Sequence, residues 1–294
     1  MFNVATKQIS VIMTRLSSVA LVAAFAIGTV SCGNSGKTSE EAEAMLEDAS
    51  RLSQKGQYNS AVALLDSLCK TRPSETEAVK QAMHLKAQTL EKSFVAQMEQ
   101  VDSIIAANAP IVEQIAPMLK GVKTPEMVEG YRVVASIAGK ELINCTDIEP
   151  RIDDGGNLYI VSLLHGVSAQ HDRLRVSCSA GSAETKSVPY DNSRNYRFSD
   201  DGVSNEMVTF RYDECADFCQ FIADNADAKL SLTFVGKKQH TVPLGDAVKR
   251  AIVQSYRYST AIRTGMRAEH DKLLLTKKIE IARRQIEQTA ITKE

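Results

Sequence analysis

The sequence has no tryptophan, only 7 prolines and 15 glycines in 294 residues, and no surplus of either charge, with 35 Lys and Arg against 36 Asp and Glu. Scarce Pro and Gly exclude a collagen-like or low-complexity chain. Balanced charge argues against a dedicated nucleic-acid binder, which carries a strong basic excess. An ordinary globular composition, 44% hydrophobic and 24% charged, excludes a polytopic membrane protein. The motifs that carry chemistry are also missing. There is no GxSxG nucleophile elbow, no HExxH helix and no CxxC pair. No cofactor or metal is expected, and the protein is expected not to be an enzyme.

What is present begins with an address. Residues 1–31 contain no acid, and Lys7 and Arg15 precede an apolar stretch of 15 residues, Leu16–Val30. A basic n-region followed by a short apolar h-region and small residues is a secretory signal. Met13 is an alternative start of more usual signal length. Thr29-Val30-Ser31-Cys32 resembles a bacterial lipobox, with Thr29 where an aliphatic residue is usual. The resemblance implies cleavage before Cys32, acylation of its thiol and a chain held to the membrane by lipid. Gly33 after the cysteine, with no Asp there, resembles the Gram-negative pattern for the outer membrane. Residues 33–39 (GNSGKTS) read as a flexible tether. Their Gly-Lys-Thr ending imitates a P-loop, but Ser31 stands where the first glycine is required and no strand precedes it.

From Glu41 the apolar period is helical. Met45, Ala49 and Leu52 share one face, Lys55–Tyr58 makes a turn that Asn59 can cap, and Ala61, Leu65 and Leu68 line a second helix that Pro73 stops. With these positions at that family's spacing, Gly56, Tyr58, Ala61, Leu65, Leu68 and Pro73 resemble a tetratricopeptide repeat, whose first helix Met45, Ala49 and Leu52 match less well. That resemblance covers one unit of about 34 residues and makes Tyr58 a candidate partner contact. Taken together, the chain resembles uncharacterised Gram-negative envelope lipoproteins with a single such hairpin.

Thr76 to about Asn108 lacks Gly and Pro and is expected as one long helix. Its seam is Met83, Ala87, Leu90, Phe94, Gln97, Val101, Ile104 and Asn108. Pro110 and Pro117 are expected to break or kink the segment after Asn108, and Thr124-Pro125-Glu126 to open a short helix. At the far end, Asp246 to about Gln288 is helical with Gly265 as a weak point, and Leu275, Ile279, Ala282 and Ile286 form a matching seam. Residues 249–294 carry 11 basic and 5 acidic side chains, and residues 40–102 carry 7 basic and 11 acidic. Opposite charge and matching seams predict an antiparallel coiled coil about 45 Å long. Lys277, Lys278, Arg283 and Arg284 are a rival site for an anion or anionic lipid.

Between these arms the period becomes two. Tyr131–Ile137, Thr146–Ile152, Leu158–His165, Arg173–Ser179, Thr185–Tyr190, Tyr196–Phe198, Met207–Tyr212, Leu230–Val235 and His240–Leu244 read as strands. A single helix, Asp213–Asn225, interrupts them with Cys215, Phe218, Phe221 and Ile222 inward. Short connections imply antiparallel pairing in a small sandwich or open barrel. Asp153–Asn157 and Asp200–Gly202 read as turns, since neither has the register of a calcium loop.

The expected class is therefore α+β: an N-terminal hairpin and long helix, an antiparallel β-rich middle, and a C-terminal helix pairing with the N-terminal one. The expected division is a signal peptide at 1–31, a tether at 32–40, helices at 41–125, a β-rich domain at 126–244 and the last helix at 245–294. Cys145 and Cys178 could pair as a disulfide, but with no CxxC and an odd count most cysteines are expected to be buried and unpaired. His165, His171 and Asp172 are the only local cluster, with Ser168 or Ser177 as imaginable nucleophiles. Asp66-Ser67-Leu68 and Asp102-Ser103-Ile104 resemble O-glycosylation sites of exported bacterial proteins. The leading expectation is a lipid-anchored envelope protein that binds an unknown envelope protein and no nucleic acid. A periplasmic chaperone-like or spacer role is the alternative, and an enzyme with its site at His165 and His171 stands behind both. A large polar pocket at those histidines would favour the enzyme, and an exposed apolar groove on the arms would favour binding.

Overall fold

The computed structural model describes residues 39–290 apart from 126, 140, 141 and 143. The signal, Cys32 and most of the tether lie outside the described residues.

The chain is α+β. Three helices come first among the described residues: α1 (Glu40–Gln54), α2 (Tyr58–Thr71) and α3 (Thr76–Ile115). Ser39, expected in the tether, instead caps α1 by accepting from Ala42 N at 3.2 Å. Glu40, Glu41 and Glu43 occupy the first turn, where the helix dipole favours acids. Glu75 accepts from both N and Oγ of Ser39, and Arg72 donates to Ser39 and Glu75, so the start of α1 is tied to the start of α3. The buried face of α1 is Ala42, Leu46, Ala49 and Ser53. It keeps Ala49 from the expected face, while Met45 and Leu52 are half-buried beside it. Gly56, at φ +74°, makes the turn, and Gln57 rather than Asn59 takes the cap position of α2. Ala61, Leu65 and Leu68 are buried as the spacing requires. Full burial of each leucine stabilises by about 1.5–3 kcal/mol.

Helix α3 does not break at Pro110 but runs to Ile115. An interior proline costs about 3 kcal/mol. Packing of Ile111, Val112 and Ile115 against Ile152, Tyr258 and Ile262 offsets that loss. Pro117 lies in a single 3-10 turn, Ala116–Met118.

The last helix, α5 (Asp246–Thr289), is continuous through Gly265 and returns along α3. Contacts fix the antiparallel register. His84 meets Thr289 at 3.1 Å, Glu91 meets Arg283 at 2.7 Å, and Asp102 meets Lys272 at 2.8 Å. Lys278 sits over the Phe94 ring. The seam uses Ala87, Phe94 and Val101 as expected, facing Ala268, Leu275 and Ala282. Met83 and Ile104, expected on it, are exposed, and Met98 and Ile105 take part instead. The cause is geometric, because a straight α-helix drifts by about 20° per heptad from a 3.5-residue repeat.

Among the described residues, ten strands form two antiparallel sheets. The first has the order β1 (Leu119–Val122), β2 (Tyr131–Val134), β3 (Asp147–Ile152), β4 (Leu158–His165), β8 (Val203–Phe210) and β7 (Asn195–Asp200). The second has the order β10 (Gln239–Pro243), β9 (Ser231–Val235), β5 (Arg173–Cys178) and β6 (Gly181–Glu184). Neither closes into a barrel. The β-rich part begins at Leu119 rather than at 126, because Leu119–Val122, placed with the helices, is a strand paired with β2. Thr185–Tyr190, read as a strand, is not one; β5 pairs with Gly181–Glu184 on one side and with β9 on the other. Tyr212, expected in a strand, begins α4 (Tyr212–Asp224), whose buried face is Cys215, Phe218, Cys219 and Ile222. One core joins both sheets, α4 and the base of α5, through Leu158, Ile160, Leu174, Phe218, Phe234 and Ile252.

The β3–β4 turn is clamped to α5. Ser259 Oγ donates to Gly156 O at 2.7 Å and accepts from Leu158 N at 2.9 Å, and Arg263 donates to Asn157 Oδ1. Gly156 has φ +79°, and a Cβ there would stand 2.6 Å from Ile262 Cγ2. Gly156→Ala should therefore cost about 1–3 kcal/mol from left-handed strain and overpacking. A lowered thermal midpoint with unchanged helix content by circular dichroism is the expected result.

Candidate functional site

Three places in the described structure combine unusual chemistry with defined geometry. The first is a cleft of about 640 Å³ where the β3–β4 turn, the start of α4 and the base of α5 meet. Arg194, Arg211 and Arg263 line it together with Glu129, Asp153 and Asp213. Arg194 Nη1 donates to both carboxylate oxygens of Glu214, at 2.9 and 2.8 Å. The Arg263 guanidinium lies 4.0 Å from the centroid of the Tyr212 ring. Tyr159 forms another part of the wall, and burial pushes its hydroxyl up to about 12, so it stays protonated as a donor. Three cations and three anions make the lining neutral overall. Such a cleft can orient a polar group but does not concentrate one sign of charge.

The second place is an apolar groove of about 320 Å³ between α3 and α5 at the base of the arms. Ile105, Ala109, Val112, Ala261, Ile262 and Met266 line most of it. Gly265 adds no side chain, so the groove floor lies near the α5 backbone.

The third place is buried. His171 Nε2 lies 2.9 Å from Ser162 Oγ, and His171 Nδ1 lies 2.8 Å from Glu206 Oε2. This is the hydrogen-bond order of a Ser-His-acid relay. Ser162, His171 and Glu206 are all 0% exposed, however, and neither cleft reaches them. Ser162 Oγ also contacts Val208 O at 3.2 Å, and the edge of the His171 ring meets Phe234. Glu206 further accepts from the backbone N–H groups of Gln170 and His171, at 2.6 and 2.8 Å. Burial pushes the Glu206 carboxyl up. The hydrogen bonds from the His171 ring and the two backbone donors outweigh it and hold the group below the usual glutamate range. The arrangement ties β4 and β8 of the first sheet to the segment that leads into β5 of the second.

Compared with known proteins, the chain matches no family model, no curated protein and no solved structure.

The structure separates most of the sequence-derived candidates. His165 is not with His171; its Nδ1 meets Asn205 Oδ1 at 2.9 Å at the end of β4. Ser162, not Ser168 or Ser177, is the serine at His171. Asp172 faces Arg173 and Ser187. Sequence reasoning missed Ser162 and Glu206, because strand pairing alone brings them to His171. Cys145 and Cys178, the possible pair, form no disulfide. Cys215 and Cys219 are buried free thiols, and burial pushes Cys219 well up. Asp153 binds Asn157 within its own turn. Among the described residues no group of three or more His, Cys, Asp or Glu side chains is placed to hold a metal ion. Tyr58 opens α2 and is half-buried, lining neither cleft. In the two serine motifs, Asp66 pairs with Lys86 and Asp102 with Lys272, leaving Ser67 and Ser103 exposed. Cys32 and the P-loop imitation lie outside the described residues.

Proposed function

We propose that this is a lipid-anchored envelope protein whose paired helical arms hold a surface for a protein partner. The observation that carries this reading is the apolar groove between α3 and α5, where solvent-facing aliphatic side chains line the base of the arms. An open apolar groove between two helices is a place where aliphatic side chains of a partner can be buried. The large polar cleft lies at Arg194, Arg211 and Arg263, and not at His165 or His171, so the pocket that would favour an enzyme is not where the histidines are. Acylation at Cys32 would supply the anchor, since lipid chains contribute about 0.8 kcal/mol per buried CH₂. The outer membrane is the proposed address, with the protein facing the periplasm.

Proximity crosslinking and pull-down from intact membranes tests the reading, with wild type beside Cys32→Ala. The expected result is one envelope complex from wild type that is depleted when Cys32 is replaced. Recovery of many unrelated unfolded clients would favour the chaperone-like role. Fractionation of both forms with soluble protein would remove the anchor.

A further inference from the structure

We infer that the cleft beside the β3–β4 turn is a binding site for a short neutral oligosaccharide. This goes beyond the partner-binding reading above and does not depend on it.

Five separate stretches of chain converge on the cleft, at Glu129, Asp153–Tyr159, Arg194, Thr209–Asp213 and Arg263. Its volume of about 640 Å³ falls within the range of roughly 300–1,000 Å³ that small ligands occupy. One wall is fixed in advance. Ser259 holds Gly156 and Leu158, and Arg263 holds Asn157, so the turn that carries Asp153 and Asn157 is anchored to α5. A preformed wall loses little freedom when a ligand arrives.

The arrangement of charge sets the ligand's chemistry. Arg194 is neutralised by Glu214. Asp153 accepts from N and Nδ2 of Asn157, and Asn157 Oδ1 accepts from Arg263, so acid, amide and guanidinium form one chain. Arg211 and Asp213 stand on either side of Tyr212 in the sequence, and among the described residues neither side chain has an ion-pair partner. Cations and acids are therefore interleaved and not gathered at opposite ends. An ion entering such a cleft meets charges of its own sign beside those that attract it. A zwitterion needs the two signs apart.

A hydroxyl needs neither. It donates and accepts, whereas a guanidinium only donates and a carboxylate only accepts. Neighbouring hydroxyls of a sugar can accept from an arginine and donate to an acid at once. Bonds to charged partners are about twice as strong as neutral ones. Tyr159 and Tyr212, both half-buried, complete the wall. A tyrosine has an apolar body and a polar tip. A pyranose matches it, with an apolar C–H face and a hydroxylated rim.

Full chain purified from membranes, in a detergent without a sugar headgroup, is the material for the test. It is applied to an array of neutral, uronic-acid and amino-sugar glycans, with tripeptides as further probes. Neutral glycans should bind, and the best of them is then titrated by calorimetry. Arg263→Lys keeps the charge but loses the planar fork, and should weaken that glycan at least about tenfold. Arg211→Ala with Asp213→Ala changes two exposed side chains and should do the same with an unchanged thermal midpoint. If a variant fails to fold, the wild-type chain answers alone. Bound glycan should slow the reaction of Arg211 with phenylglyoxal severalfold, read by mass spectrometry. Competition by a free trisaccharide identifies a soluble ligand, and competition only by a longer glycan identifies a chain end; either satisfies the inference. Binding of no neutral glycan would overturn it. So would preference for uronic acids, amino sugars or tripeptides, neutral-glycan binding that survives both variants, or no protection of Arg211.

Discussion

Glu206→Ala should destabilise the folded chain by about 3–5 kcal/mol, the range for removing one partner of a buried charged or hydrogen-bonded pair. The carboxylate is fully buried and accepts from Gln170 N, His171 N and His171 Nδ1. Alanine leaves all three donors in a dry interior with no acceptor, and each such loss carries a desolvation penalty. Guanidinium chloride titration followed by far-ultraviolet circular dichroism measures it. The same group governs acid sensitivity. Its folded pKa is depressed below the free glutamate value of about 4.3, so its contribution is fully present above that pH. The contribution is lost as pH falls through the lower folded value. Glu206→Gln should therefore be destabilised near neutrality yet show a shallower loss of stability below about pH 4. An acid limb identical to wild type would show that Glu206 is not the group responsible.

Gly236→Ala attacks the same place from the other side. A Cβ at Gly236 would stand 2.3 Å from Gln170 O and 2.6 Å from His171 Cα. These are backbone atoms and cannot rotate away, so the β9–β10 turn or the Gln170–His171 segment must move. The expected cost is at least about 3 kcal/mol, the upper end for overpacking. Movement of His171 would also lengthen its bond to Glu206. The double variant with Glu206→Ala should consequently be less destabilised than the sum of the two single ones, by about 0.5–3 kcal/mol. Strict additivity in a double-mutant cycle would refute the coupling.

The surroundings of His171 also show where sequence reading stops. Alternation made Leu158–His165 legible as a strand, and DDGGN made its turn legible. The arms were legible twice over, from a heptad spacing at Leu275 and Ala282 and from the opposite charges that become Glu91–Arg283 and Asp102–Lys272. Ser162 and Glu206 gave no signal. One lies inside an apolar run, and the other is separated from His171 by 35 residues and a change of sheet. Cross-strand register, which local pattern does not specify, brings them together. The exposed aliphatic side chains of α5 were illegible for another reason. Met266, Leu273 and Ile281 are as apolar as the seam residues, and periodicity alone assigns no direction to a face. The strand Leu119–Val122 was hidden by its shortness and by Lys120 and Gly121, which carry no alternating apolar signal.

The knot of Ser39, Arg72 and Glu75 has a mechanical consequence. It places the first described residue at the end of the arms farthest from the sheets, with α1 running back toward them until Ser53 meets Thr89. Tension applied between residue 39 and the sheets therefore acts nearly parallel to the axes of α1 and α3. The hairpin is loaded in shear: α1 cannot peel away one turn at a time, and Ala42, Leu46 and Ala49 must slip past Leu65, Leu68 and Ala82 together. Rupture under force is governed by the unfolding rate rather than by equilibrium stability. A short helical pair of modest thermodynamic strength can for that reason act as a stiff mechanical joint along this one direction.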